Sequence, residues 1–186
     1  MAVNSLVEQF CESAEKVGAE VRTGSLEDAV SYIKNHCGGT VLVPSFPSGE
    51  RAGLAERLSD AGCRVERDDF RRSAPQAAAG VTGANFGLAA TGTVVLESTE
   101  EAVRLATTLP ERHFVLLDPN KIISDEQAAV PSLRDLHGLR PRNFVAYITG
   151  PSRTADIERV LTIGVHGPRE LHIFLVEGIS EDFLEM

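Results

Sequence analysis

The feature that most restricts this chain is a series of short apolar runs without strict alternation. They are Thr40-Val41-Leu42-Val43-Pro44, Thr93-Val94-Val95-Leu96, Phe114-Val115-Leu116-Leu117, Phe144-Val145-Ala146-Tyr147-Ile148 and Leu171-His172-Ile173-Phe174-Leu175-Val176. Runs of this length, bounded by turn residues, read as strands apolar on both faces, and such strands belong to a parallel sheet covered by helices. The segments between them supply the crossovers that parallel pairing requires. Leu6, Phe10, Ala14 and Val17 recur at helical spacing and end at Gly18. A second helix follows Ser25, with Ala29, Val30 and Ile33 on one face. Gly38-Gly39 breaks it, Ser48 can open a third around Leu54, Ala55 and Leu58, and Gly62 precedes the extended Arg64-Val65-Glu66. The expectation is an α/β fold with a mostly parallel sheet flanked by helices. It forms one domain over 1–186: a helical N-terminal extension at 1–39, a core at 40–176 and an acidic tail at 177–186.

Two further helices are expected from capping boxes, Ser98 with Glu101 and Ser124 with Gln127, in which side chain and backbone satisfy each other's free amides. Pro131 would divide the second helix near Val130. The N-terminal residues carry Glu8, Glu12 and Glu15 and no basic stretch, unlike a secretory leader, and no apolar run approaches a membrane span. A cytoplasmic protein is expected. The net charge of -9 disfavours nucleic acid, whose binding rests on phosphate neutralisation by a basic face. Cys11, Cys37 and Cys63 are scattered with no CxxC pair, so neither an iron–sulfur cluster nor a metal is expected on this chain; they read as small buried thiols.

Three segments are candidates for chemistry. Gly80 to Thr93 holds four glycines in its first 13 residues and runs straight into a strand. Asn85, Thr91, Gly92 and Thr93 can offer hydroxyls, an amide and main-chain N–H groups to an anion, or the segment is a tight strand entry. Ile148 to Glu158 reads as a strand, a polar turn and a helix with Ile157, Val160 and Leu161 inward. Ser152, Arg153 and Thr154 would then stand at a helix start, where ligands of parallel sheets bind, and Arg153 would need an anion, either Asp156, Glu158 or a ligand. Gly164-Val165-His166-Gly167-Pro168 places a histidine between flexible residues, suited to acid–base work or to a turn. His113 and His172 sit at or in strands and are expected to be packed or capping; His36 and His137 fall at helix ends.

The blocks Asn85 to Thr93 with Ser98, Leu109-Pro110 with His113, Ser152 to Glu158, and Gly164 to Pro168 resemble the LUD domain of the lactate utilization protein C family over about residues 40–176. The resemblance implies the fold of ribose-phosphate isomerases and CoA transferases. It also implies a role in oxidising L-lactate to pyruvate beside iron–sulfur partner proteins, with this chain as the clusterless component. Its ligand would be a small carboxylate or phosphate held by Asn85, Thr91, Gly92, Thr93, Ser152, Arg153, Thr154 and Gly167 in a local basic pocket around Arg153. Related sequences commonly carry a glutamate before the Thr-Gly-Thr block, where this chain has Ala90. A carboxylate role would then fall to Glu97 or Asp156, with His166 the remaining proton-transfer candidate. Rival readings are a stand-alone isomerase or CoA transferase, and an interaction subunit without a ligand. The tail reads as a frayed end or a docking segment.

Overall fold

In a computed structural model of the chain, residues 2–155 and 161–186 are described. Their strands and helices run α1 (Ala2–Lys16), β1 (Glu20–Thr23), α2 (Leu26–His36), β2 (Thr40–Leu42), α3 (Pro47–Arg51), α4 (Leu54–Asp60), β3 (Arg64–Glu66) and α5 (Phe70–Ser73). Then come β4 (Ala79–Gly83), β5 (Phe86–Leu88), β6 (Thr93–Glu97), α6 (Glu101–Thr108), β7 (Arg112–Leu117), β8 (Ile122–Ile123), α7 (Val130–Gly138), β9 (Val145–Ile148), β10 (Arg153–Ala155), β11 (Leu161–Ile163) and β12 (Glu170–Leu175).

The central sheet has the order β1-β12-β7-β4-β2-β3 and is parallel throughout. This is the mostly parallel, helix-flanked α/β architecture expected from the apolar runs. Alternate residues divide between its faces. Val115, Leu117, Leu171, Ile173 and Leu175 pack with Phe10 and Ala14 of α1, Val94 of β6 and Ile122 of β8. Phe114, Leu116 and Phe174 turn the other way, to Ala29, Val30 and Ile33 of α2 and Leu54 and Leu58 of α4. Helix α2 begins as the sequence suggests: Asp28 N–H donates to Ser25 Oγ, and Ser25 N–H donates back to Asp28.

Two of the apolar runs join a different sheet. Strands β8-β5-β6-β9 form a second layer in which β6 is antiparallel to both β5 and β9. Other expectations are corrected. The N-terminal extension is not wholly helical, because β1 pairs with β12 at the edge of the central sheet. Ser98 does not cap α6: Glu100 takes the cap position, and Ser98 spends both its N–H and its hydroxyl on the Phe144 carbonyl beside β9. Residues 124–129 form turns in which Asp125, not Ser124, accepts from Ala128 N–H. Pro131 then sits in the first turn of α7, where a missing N–H costs nothing.

Where a helix was expected to begin after Ser152, residues 153–155 and 161–163 are the paired strands of a hairpin. Arg153, Thr154 and Ala155 pair antiparallel with Ile163, Thr162 and Leu161. The β-branched Thr154, Thr162 and Ile163 favour this extended path. Asp156, together with Ile157, Glu158 and Val160, lies outside the described residues.

Candidate functional site

The segments on either side of the β10–β11 pair line a cavity of about 250 Å³ at the amino edge of the central sheet. One wall is Tyr147 to Ser152, continuing from β9. The opposite wall is His166-Gly167-Pro168, leading into Leu171, and the floor comes from Thr107 and Thr108 at the end of α6 and His113 at the start of β7. The walls are tied by their backbones: Ser152 N–H donates to the Pro168 carbonyl at 2.8 Å and Gly164 N–H donates to the Ser152 carbonyl at 2.9 Å. Gly167 leaves room for Ser152, whose Oγ would lie 3.2 Å from a Cβ at that position.

Of the sequence-derived site residues, Ser152, His166 and Gly167 line this cavity. Thr91 and Thr93 stand behind it, their hydroxyls 2.7 Å apart, and Thr93 Oγ1 lies 2.7 Å from Thr149 Oγ1 in the cavity wall. A relay of three hydroxyls thus runs from the turn before β6 to the site. Gly92 serves packing instead of ligand contact. Its φ of +65° is in the left-handed region, and a Cβ there would fall on the backbone of Ala14 in α1. Thr154 is held in the hairpin opposite Thr162.

Arg153 is placed differently from the expectation. Because β10 is a strand, Arg153 has no helix start to occupy, and its guanidinium donates to the Val17 carbonyl at the end of α1. The side chain latches the hairpin to α1. Neither arginine nor lysine is among the residues lining the cavity, so the basic pocket foreseen around Arg153 is not formed by the described residues.

The residue the sequence undervalued is His113. It is buried in its strand as expected, yet it lines the cavity, with Nε2 2.9 Å from Thr82 Oγ1. Burial, with the neighbouring His172 a smaller contributor, pulls its pKa down to about 3, so the imidazole is neutral across the physiological range. Thr149 was also missed, although its position at the end of an apolar run and before Gly150 marks it as a strand-end residue. The cavity therefore offers hydroxyls, one neutral imidazole and the exposed His166, with no carboxylate among its lining residues.

Asn85 and Glu97 belong to the opposite, carboxyl edge. Asn85 Oδ1 accepts from Glu97 N–H at 2.7 Å, and Glu97 Oε1 accepts from Thr99 N–H at 3.0 Å. Both line a second cavity of about 190 Å³, described below. The Ala90 turn is exposed, its N–H donating to the Ser124 carbonyl at 2.9 Å.

The family model for the LUD domain matches residues 7–176. The chain belongs to the LUD domain family. Lactate utilization protein C of Bacillus subtilis is 29% identical to this LUD domain over 191 aligned residues, covering 82% of the chain and 80% of that protein. The protein of the same name from Anoxybacillus flavithermus is 31% identical, with 88% and 75% covered. A crystal structure of a DUF162 family protein from Deinococcus radiodurans superposes with a TM-score of 0.65 at 21% identity, over 95% of this chain and 99% of that one. That likeness supports the α/β fold. Among the described residues no helix is long and apolar enough to cross a membrane.

Proposed function

We propose that this LUD domain is the clusterless component of an L-lactate utilization system, holding a small carboxylate while iron–sulfur partner proteins carry the electrons. Two relatives that align with most of the chain are named lactate utilization protein C, which supports the pathway. The observation that carries the ligand reading is the gathering of Ser152, Thr149, His166 and His113 around one cavity from three separate sequence blocks. A carboxylate there accepts hydrogen bonds from hydroxyls backed by a relay, and the neutral His113 costs it no competing charge. An acid–base enzyme of the isomerase or transferase kind is less well supported, since no lining residue is a carboxylate and Glu97 is directed to the far edge.

The test is thermal unfolding of the purified chain with L-lactate, pyruvate and a sugar phosphate. At a hundredfold excess over its dissociation constant, the true ligand raises Tm by about 5–10 °C for a domain of this size. Ser152→Ala should abolish most of that rise. No shift with either three-carbon acid, or an equal shift in Ser152→Ala, refutes the ligand assignment. Purification of the native protein from its host, with iron content and lactate oxidation measured on the complex and on the isolated chain, tests the partners; recovery of the chain alone, with lactate oxidation undiminished when it is deleted, refutes them.

A further inference from the structure

The carboxyl edge of a parallel sheet is where α/β proteins ordinarily bind ligands, and in this chain residues 177–186 lie across it. Their final stretch rests on the end of β4. A Cβ at Gly83, the last residue of β4, would stand 2.6 Å from the Met186 carbonyl carbon. The stretch is held through its main-chain oxygens. Lys121 Nζ donates to the Asp182 and Glu185 carbonyls at 3.3 and 2.9 Å, and Asn85 Nδ2 donates to the Phe183 carbonyl at 3.1 Å. Ser48 gives both its N–H and its hydroxyl to the Met186 oxygen.

These donors are unusually deep for an attachment of this kind. Lys121 is 1% exposed, Asn85 0% and Ser48 2%. A buried ammonium is costly unless an anion pairs with it. Among the described residues Lys121 forms no ion pair; the nearby Glu185 carboxylate is taken by Arg51 at the surface. Burial accordingly draws the Lys121 pKa down to about 8, against the smaller favourable pull of Asp118 and two tail acids. Ser180 adds a second unmet need: it is 5% exposed, and its hydroxyl has no partner. Beside the donors lies the cavity of about 190 Å³, whose walls include the apolar Phe46, Pro47, Val103 and Leu136, the ion-paired Glu100 and Arg140, and Glu97 held by the Thr99 N–H, and which is closed by Glu185 and Met186. Glu185 therefore stands between the cavity and the Lys121 ammonium.

We propose that this edge is a binding site for a small organic carboxylate with an apolar body. Lys121 is its counter-charge, Asn85 and Ser48 are its neutral donors, and residues 182–186 are a displaceable strap filling the site. The carbonyl oxygens of Asp182, Phe183 and Glu185 satisfy the geometry of Lys121 and Asn85 but carry only partial charge; a carboxylate presents the same planar oxygens with a full charge in direct contact with the ammonium. One buried cation beside the buried Asp118 suits a monoanion better than a phosphate dianion. The apolar side of the cavity takes the body of the molecule. This site is separate from the amino-edge cavity and stands or falls independently of the function assigned there.

The test uses the full chain and butyrate as probe, with binding followed by calorimetry and strap displacement by amide hydrogen exchange of residues 182–186. Butyrate should bind and speed exchange in that segment. Phe183→Ala, which removes the ring packed near Phe86 at 6.1 Å between centroids, should weaken the strap and tighten butyrate binding about tenfold. Lys121→Met should weaken it by at least about tenfold. If Lys121→Met does not fold, Phe183→Ala and the exchange measurement decide alone. Butyrate that binds without speeding exchange in 182–186, or binds Phe183→Ala no more tightly, or binds neither protein, overturns the proposal. Inorganic phosphate displacing the strap as well as butyrate does overturns the assignment to a carboxylate.

Discussion

Between pH 6.5 and 4, acid should destabilise this protein measurably through one residue, His113. Buried at the floor of the amino-edge cavity, it keeps a neutral ring down to a pKa of about 3, against 6.5 when unfolded. Below pH 6.5 the unfolded chain takes up a proton that the folded chain refuses, so stability falls with pH, and the loss continues until about pH 3. At 1.4 kcal/mol per pH unit of separation, the loss is about 2 kcal/mol at pH 5 and about 3 kcal/mol at pH 4. The perturbation that isolates it is His113→Gln, which keeps a hydrogen-bonding group opposite Thr82 but cannot take up a proton. Urea unfolding of both proteins at pH 7.5, 6.5, 5.5 and 5.0 gives two pH dependences. Their difference between pH 7.5 and 5.0 should be about 2 kcal/mol, with the substitution itself and every other titrating group cancelling. His172, whose pKa burial also lowers, stays in both proteins. Parallel curves would falsify the claim that His113 is buried neutral, and with it the picture of the cavity floor.

Three further outcomes are expected. Gly92→Ala must move either the turn or α1, because its Cβ would fall on the backbone of Ala14 at a positive φ; a loss of about 2–4 kcal/mol in urea unfolding is expected. Asn85→Ala leaves the Glu97 amide and the Phe183 carbonyl without their partner and should cost about 2–3 kcal/mol by the same assay. For Lys121, a folded pKa of about 8 against 10.5 unfolded means that the unfolded chain holds more protons between those values. Stability from this group therefore rises from pH 8 to 10 by about 2–3 kcal/mol, and Lys121→Met should lack that rise.

What the sequence disclosed, and what it hid, follows from the range of the interactions involved. Strands β2, β7 and β12 of the central sheet were legible because burial on both faces leaves a continuous apolar run, whereas β1 and the glycine-bearing β4 left no such run and were not read as strands; α2 was legible because its cap is made by residues three apart, Ser25 and Asp28. Partner choice has no such local mark. Thr93 to Leu96 reads like any parallel strand, yet it pairs antiparallel with residues about fifty positions later. Ser98 looks like a cap until β9 brings the Phe144 carbonyl to it. After Ser152 an apolar spacing suited to a helix met a β-branched composition, and pairing across the hairpin decided for strands. That decision also reassigned Arg153, whose meaning depended wholly on a helix start. Lys121 left a fainter trace: Asp118-Pro119-Asn120-Lys121 follows directly on β7, at the carboxyl end of a parallel strand, where ligand groups collect.

The two edges of the central sheet differ in a way that bears on chemistry. Proton transfer needs a group whose pKa lies near working pH and whose lone pair or proton is free. At the amino edge, His113 is held far below that range and engaged with Thr82, and the second imidazole lining the cavity is that of the exposed His166. At the carboxyl edge, Lys121 and Glu97 have suitable functional groups, but Lys121 is spent on two carbonyls and Glu97 on the Thr99 amide. An amino-edge ligand would meet neutral donors and the exposed imidazole of His166. Such a set of groups agrees with the proposed role of holding a small carboxylate. The hydroxyl relay from Thr91 through Thr93 to Thr149 fits the same purpose. Each hydroxyl can donate to only one acceptor, so a carboxylate accepting from Thr149 fixes the direction of the other two hydrogen bonds.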